Sequence, residues 1–120
     1  VNTDPEVIEM KGNDVFKIAV NTMGKLAKDT LISNDISIDQ IDWLIPHQAN
    51  SRIINAIAKK LSLPTDKVIM NVGDHGNTSA ASIPLAMDYA NNNNMLKNND
   101  MVLLEAFGAG FTWGSTLLKF

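Results

Sequence analysis

The alternation of short apolar runs with amphipathic segments is the feature that most constrains the fold of this chain. Three apolar runs of strand type are separated by stretches in which apolar residues recur at helical spacing. Two further apolar runs follow near the end and flank the glycine-rich residues 108–110, which predicts a hairpin. The five predicted strands are residues 7–10, 42–45, 68–71, 101–107 and 111–120. This order predicts an α/β layered domain with a mixed five-stranded sheet.

Helical spacing predicts two helices in the first half of the chain. They cover residues 13–33 and 50–61, and Asn13 and Asn50 are suitable N-terminal caps. A third helix follows a tight loop at residues 73–76.

Thr78 is a suitable cap for this third helix, which is rich in small residues and therefore permits close packing. Pro84 lies inside it, so we expect a kink or a 3₁₀ first turn.

Composition limits the classes of protein to consider. The 120 residues suffice for one domain, and the net charge of −3 gives no reason to expect nucleic-acid or membrane partners. The chain has no cysteine, so it contains no disulfide, thiolate nucleophile or cysteine-ligated metal. No apolar run approaches the ~20 residues that span a bilayer, and no signal peptide is evident, so we expect a cytoplasmic location. Because Val1 is not a natural start, we expect the chain to begin inside a longer protein.

Two polar motifs follow apolar strand segments. The first is His47-Gln48-Ala49-Asn50-Ser51-Arg52, directly after Pro46, and the second covers residues 76–82 with Asn77 near its start. Each precedes a helix, so the His47 and Asn77 side chains are expected to project into one cleft. Two hydrogen-bond donors aimed at one point form an oxyanion-type site.

Structural roles remain open for the same residues. A histidine at a strand end usually satisfies a local hydrogen bond, Asn50 suits a helix cap, and Asn77 suits a turn. Arg52, the only arginine, has the alternative of an ordinary exposed charge. His75 lies near the second motif, but two histidines without a suitably spaced carboxylate or thiolate do not predict a metal site.

These segments together resemble the C-terminal half of the β-ketoacyl-acyl carrier protein synthase III family of condensing enzymes. The matching residues are 42–50 with Arg52, 76–82 and 103–114. The resemblance implies a thiolase-like α/β/α/β/α layered fold, in which residues 1–120 form the C-terminal condensing-enzyme domain. It also implies a Cys-His-Asn triad with the histidine at His47 and the asparagine at Asn77. The nucleophilic cysteine would belong to the N-terminal half, which is absent from this chain.

The resemblance also assigns roles to other residues. It implies that Gln48, Ala49, Asn50, Ser51 and Arg52 contact coenzyme A substrates and acyl carrier protein, with Arg52 as the key cation. Phe107 would shape the decarboxylation site, and Ala109 replaces a family glycine whose backbone N–H helps to form the acyl oxyanion hole.

Substrates and partners follow from the same resemblance. It implies acetyl-CoA and malonyl-acyl carrier protein as substrates without any cofactor. The implied partners are acyl carrier protein, the N-terminal half of the same enzyme and a second copy in a homodimer. Without the cysteine, the isolated 120-residue chain is expected to be inactive.

Two alternatives remain. One is another thiolase-fold condensing enzyme, of polyketide or quinolone type, that uses coenzyme A thioesters directly. The other, for the isolated chain, is a non-catalytic module that binds a carrier protein.

Overall fold

A mixed three-stranded sheet lies at the centre of the computed structural model, which describes residues 11–120. Its strands are β1 (Trp43–Pro46), β2 (Met101–Gly108) and β3 (Thr112–Lys119), in the order β1-β2-β3. β1 pairs in parallel with β2, and β2 pairs in antiparallel orientation with β3. The predicted terminal hairpin and the mixed character of the sheet are therefore confirmed.

The prediction of a strand at residues 68–71 is wrong. This segment forms a single parallel bridge, between Leu44 and Val68, and Ile69 donates its backbone N–H to the Leu44 carbonyl at 2.9 Å. A 3₁₀ turn at Thr65–Lys67 precedes it and a helical turn begins at Val72, so too few extended residues remain for a ladder. Residues 7–10, the other predicted strand, lie outside the described residues. Within residues 11–120 the sheet has three strands instead of the predicted five.

Residues 11–120 contain four α-helices. They are α1 (Gly12–Ser33), α2 (Ser51–Lys60), α3 (Val72–His75) and α4 (Ser82–Asn92). The prediction that Asn13 caps α1 is wrong, because the helix already begins at Gly12 and its first turn hydrogen-bonds to the Lys11 carbonyl. The prediction for Asn50 is confirmed, since its side-chain oxygen accepts the Ile53 N–H at 2.9 Å.

The segment between α3 and α4 departs in part from the prediction. Residues 73–75 belong to the one-turn helix α3 instead of a loop, and the chain reverses at Gly76, where φ is +66°. Thr78 makes no capping bond, and its buried Oγ1 has no hydrogen-bond partner in the part of the chain that the structure describes. A 3₁₀ turn at Ser79–Ala81 leads into α4, as Pro84 predicted; Pro84 is the third residue of α4, where an amide N–H would have no partner inside the helix.

The helices form a layer on each face of the sheet. α1 and α2 cover one face, where a buried cluster includes Met23, Ala27, Leu44, Ile54, Ile57 and Leu103. α4 covers the other face, where Ala86 and Ala90 join Ile45 and Val102 in a second buried cluster. No helix among residues 11–120 is long and apolar enough to cross a membrane.

Candidate active site

His47 lies at the edge of the sheet, directly after the last residue of β1. Its backbone N–H donates to the Glu105 carbonyl on β2 at 2.7 Å, which extends the parallel ladder by one bond. The side chain is half-buried, and this burial lowers the pKa of the imidazole below its ordinary value of 6.5. His47 is therefore neutral at pH 7.

Ser82 connects His47 to α4. Its Oγ lies 2.6 Å from Nδ1 of His47 and also accepts the backbone N–H of Gln48 at 3.2 Å. Ser82 is the first residue of α4 and is 1% exposed. The start of α4 is thereby fixed to the residues that follow β1.

Gln48 is a buried structural residue and not part of an exposed binding surface. Its Nε2 donates to the carbonyl of Pro46 at 2.8 Å and to that of Ile69 at 3.2 Å, and its Oε1 accepts the N–H of Asn71 at 2.9 Å. The side chain has no exposed surface. These bonds replace the ladder that the chain lacks at residues 68–71, so we exclude Gln48 from the candidate carrier-protein contact.

Asn77 lies on the exposed loop between α3 and α4. Its Oδ1 accepts the backbone N–H of Ser79 at 3.0 Å, an Asx turn that fixes which end of the amide faces the backbone. Nδ2 has no hydrogen-bond partner among the described residues, so both of its protons are available. The loop reaches Ser82 five residues later, and the contact of Ser82 with His47 brings the start of α4 to the edge of the sheet where β1 ends. That the His47 and Asn77 nitrogens share one cleft remains a prediction.

The remaining residues of the first motif lie where α2 begins. Ala49 is half-buried, whereas Asn50, Ser51 and Arg52 are exposed. The guanidinium carbon of Arg52 lies 5.6 Å from the centre of the Phe16 ring on α1. This cation–π contact stabilises the Arg52 side chain while the residue stays exposed.

Phe107 and Ala109 belong to the hairpin between β2 and β3. The Phe107 ring is partly buried, with its centre 5.8 Å from that of Phe111. Ala109 is exposed and keeps an ordinary φ, while Gly110 and Phe111 take the left-handed positions at φ +73° and +48°. The methyl group at Ala109 therefore causes no backbone strain.

Sequence reasoning missed Glu105. The carboxyl group is 1% exposed, neither oxygen has a hydrogen-bond partner among residues 11–120, and burial raises its pKa to about 8. The residue paired with it on β3 is Ser115, whose buried Oγ likewise has no partner within the described residues. Glu105 is thus protonated at pH 7. The sequence feature that could have pointed to Glu105 is that it is the single acidic residue within an apolar run.

Nothing in the described part of the chain gathers three or more histidine, aspartate or glutamate side chains in a way that could hold a metal ion.

Comparisons with known proteins agree with the fold. A family model described as "3-Oxoacyl-[acyl-carrier-protein (ACP)] synthase III C terminal" matches residues 31–120. The Beta-ketoacyl-[acyl-carrier-protein] synthase III of Thioalkalivibrio sulfidiphilus is 60% identical over 113 residues, which are 94% of this chain and 35% of that protein. The chain thus spans about a third of the length of the curated relatives that it matches.

Solved structures show the same similarity. The 3-oxoacyl-[acyl-carrier-protein] synthase III of Aquifex aeolicus VF5 superposes with a TM-score of 0.94 at 42% identity, covering 98% of this chain and 38% of that one. The corresponding enzyme of Pseudomonas aeruginosa PAO1 gives 0.92 at 38% identity, covering 97% and 38%. The predicted thiolase-like fold is confirmed, so the chain has the fold of the thiolase-like condensing enzymes. Within that class, the chain belongs to the 3-oxoacyl-acyl carrier protein synthase III C-terminal family.

Proposed function

We propose that the protein containing this chain initiates type II fatty acid synthesis as an acyltransferase. It would condense acetyl-CoA with malonyl-acyl carrier protein by a decarboxylative Claisen reaction, and this chain would supply the histidine and the asparagine of the triad. One observation carries the proposal. His47 uses one ring nitrogen for Ser82 and Asn77 uses its amide oxygen for Ser79, so each retains a nitrogen without a partner in the described residues.

Two such nitrogens suit the decarboxylation step. When the bond to the departing CO2 breaks, its electron pair forms an enolate and negative charge develops on the thioester oxygen. Hydrogen bonds from His47 and Asn77 to that oxygen would be stronger in the transition state than in the ground state, which lowers the barrier. The enolate carbon then attacks the acyl thioester carried by a cysteine of the N-terminal half, and the cysteine thiolate leaves.

Neither residue needs to transfer a proton in the decarboxylation step. A neutral His47 is therefore the useful form, and its lowered pKa favours that form.

Partners are proposed on the same basis. Acyl carrier proteins are acidic and this chain is acidic overall, so a local cation is needed to orient the encounter. Arg52 is exposed beside the candidate site and would supply it, together with Ala49, Asn50 and Ser51. We further propose that the N-terminal half and a second copy of the protein complete a cytoplasmic homodimer.

The test uses a complete synthase, defined as this chain joined to the N-terminal region of the Thioalkalivibrio enzyme in place of that enzyme's own matching residues. We expect ketoacyl product from acetyl-CoA with malonyl-acyl carrier protein, and much less with malonyl-CoA. The reverse preference would favour a condensing enzyme of polyketide or quinolone type. A complete synthase that condenses neither substrate would contradict the proposal.

A further inference from the structure

The hydrogen-bonding capacity of Ser82 determines where its hydroxyl proton lies. Two groups approach its Oγ: the backbone N–H of Gln48 at 3.2 Å and Nδ1 of His47 at 2.6 Å. The Gln48 N–H can only donate, so Oγ is an acceptor in that bond. The bond to Nδ1 can run in either direction.

Burial decides between the two directions. If Nδ1 carried the proton and donated it, the Ser82 O–H would need another acceptor. No such acceptor contacts it among residues 11–120, and Ser82 is only 1% exposed, so water does not readily replace it. An unpaired buried hydroxyl is costly, whereas donation to Nδ1 satisfies every group.

We propose that Ser82 is a positioning residue that holds His47 in the tautomer with its proton on Nε2. In this arrangement Gln48 N–H donates to Ser82 Oγ, and the Ser82 O–H donates to Nδ1. Nε2–H then remains as a donor without a partner among residues 11–120. The inference rests on the proposed function for its catalytic meaning, because only a donor nitrogen stabilises an enolate oxygen.

The same contact fixes the orientation of the ring. A neutral imidazole free to exchange tautomers would present an acceptor for part of the time, and an acceptor nitrogen facing an enolate oxygen is repulsive. The contact with Ser82 disfavours that state, because the buried Ser82 hydroxyl would then have no acceptor for its proton. Sequence reasoning placed Ser82 only in a small-residue motif and gave it no role.

The direct test is the ¹⁵N NMR spectrum of the complete synthase labelled at histidine, with the His47 signals assigned from a His47→Ala variant. We expect a protonated, pyrrole-type Nε2 and an unprotonated, pyridine-type Nδ1 in the wild-type protein. In Ser82→Ala the two signals should move toward each other as the tautomers mix. A wild-type proton on Nδ1, or an unchanged tautomer in Ser82→Ala, would overturn the proposal.

Kinetics provide a second measurement. Ser82→Ala should slow malonyl decarboxylation about tenfold, by analogy with the lower end of the losses seen when the residue that orients a metal-ligating histidine is removed. Acylation of the cysteine by labelled acetyl-CoA should change little. The matched control is Ser115→Ala, which removes a different buried hydroxyl, located on β3. It should alter neither the tautomer of His47 nor the decarboxylation rate. A Ser82→Ala enzyme with the wild-type decarboxylation rate would also count against the proposal.

Two further results separate the possible failures. If Ser82→Ala does not fold, Ser82→Cys takes its place, because a thiol of similar size is a weaker donor and should shift the tautomer in part; an unchanged spectrum would then overturn the proposal. If the complete synthase shows Nε2–H but decarboxylates no malonyl thioester, the proposed function fails while the assignment of Ser82 stands.

Discussion

Gln48 Oε1 accepts the backbone N–H of Asn71 at 2.9 Å, so a side chain joins two segments that no strand ladder connects. The same amide donates to the carbonyls of Pro46 and Ile69. We expect Gln48→Leu to lower the free energy of unfolding by about 3 kcal/mol or more, because three buried main-chain groups lose their partner at about 1–3 kcal/mol each. Urea unfolding of the complete synthase measures the change.

The matched control for this prediction is Gln40→Leu. Gln40 accepts the Ser37 N–H at 2.9 Å in an exposed capping box, so its loss should cost only about 1 kcal/mol. Equal losses in the two variants would contradict the structural role of Gln48.

Asn77→Asp separates the two ends of the Asn77 amide. A carboxylate oxygen can still accept the Ser79 N–H, so the turn and the stability should be retained. The donor is lost, and we expect malonyl decarboxylation to fall by about 10²–10³-fold while cysteine acylation continues. Steady-state CO2 release measures the rate, with Asn91→Asp on exposed α4 surface as the control for added charge. Equal loss of both half-reactions would indicate a structural role for Asn77.

On the proposed function, the pKa of His47 should set the acidic limit of malonyl decarboxylation. Burial lowers this pKa below 6.5, so His47 stays neutral, and decarboxylation should keep its rate as the pH falls through 6.5. The rate should decline only at lower pH, where the imidazole becomes protonated. Below pH 6.5 the unfolded chain binds this proton more readily than the folded protein does. The free energy of unfolding should therefore also decrease as the pH falls. A kcat/KM profile with an acidic limb centred at or above 6.5 would contradict the first expectation.

Glu105 makes stability depend on pH in the opposite direction. Its pKa rises from 4.5 to about 8 on burial, so between these values the folded protein holds a proton that the unfolded chain releases. Stability should therefore decrease as pH rises from 4.5 to 8, by up to about 1.4 kcal/mol per pH unit from this group. Glu105→Gln, which is neutral at every pH, should flatten that decrease.

Unfolding midpoints measured from pH 5 to 8 test this expectation. Asp35→Asn is the control, because Asp35 is exposed at φ +55°, a conformation that asparagine also tolerates. A Glu105→Gln profile parallel to the wild-type profile would show that the carboxyl is ionised in the folded protein.

Arg52 is expected to serve docking and not chemistry. Arg52→Glu should raise the KM for malonyl-acyl carrier protein and reduce the salt dependence of its use, because the encounter loses an attractive charge. Turnover of acetyl-CoA should change much less. Lys97→Glu is the matched control. Lys97 is exposed and precedes β2, whereas His47 follows the parallel strand β1, so the two residues lie at opposite ends of the strands. Equal effects of the two reversals would indicate only a change in net charge.

The sequence was most predictive where local chemistry determines the backbone. Asn50 as a helix cap, the 3₁₀ turn imposed by Pro84 and the hairpin around Gly110 depend on a few neighbouring residues, and all three predictions are confirmed. The position of His47 directly after β1 follows from the same local signals, whereas Asn77 follows the helical turn α3 and not the predicted strand.

Features that depend on distant partners could not be predicted in this way. Val68 and Ile69 have strand composition, but their pairing is limited by the turns on each side and is replaced by bonds from Gln48. The role of Ser82 arises from contacts with residues 34 and 35 positions earlier in the chain, and Glu105 lies on a strand enclosed between β1 and β3. No local pattern distinguishes Ser82 from the other small residues around the start of α4.

The bond between Ser82 and His47 also couples the position of α4 to the orientation of the imidazole ring. From 2.6 Å, a displacement of α4 by about 1 Å along the bond and away from His47 would carry Oγ beyond hydrogen-bonding range. The ring would then be released together with the helix. Any event that shifts α4, such as the arrival of a neighbouring domain on its outer side, would be transmitted directly to the proton on His47.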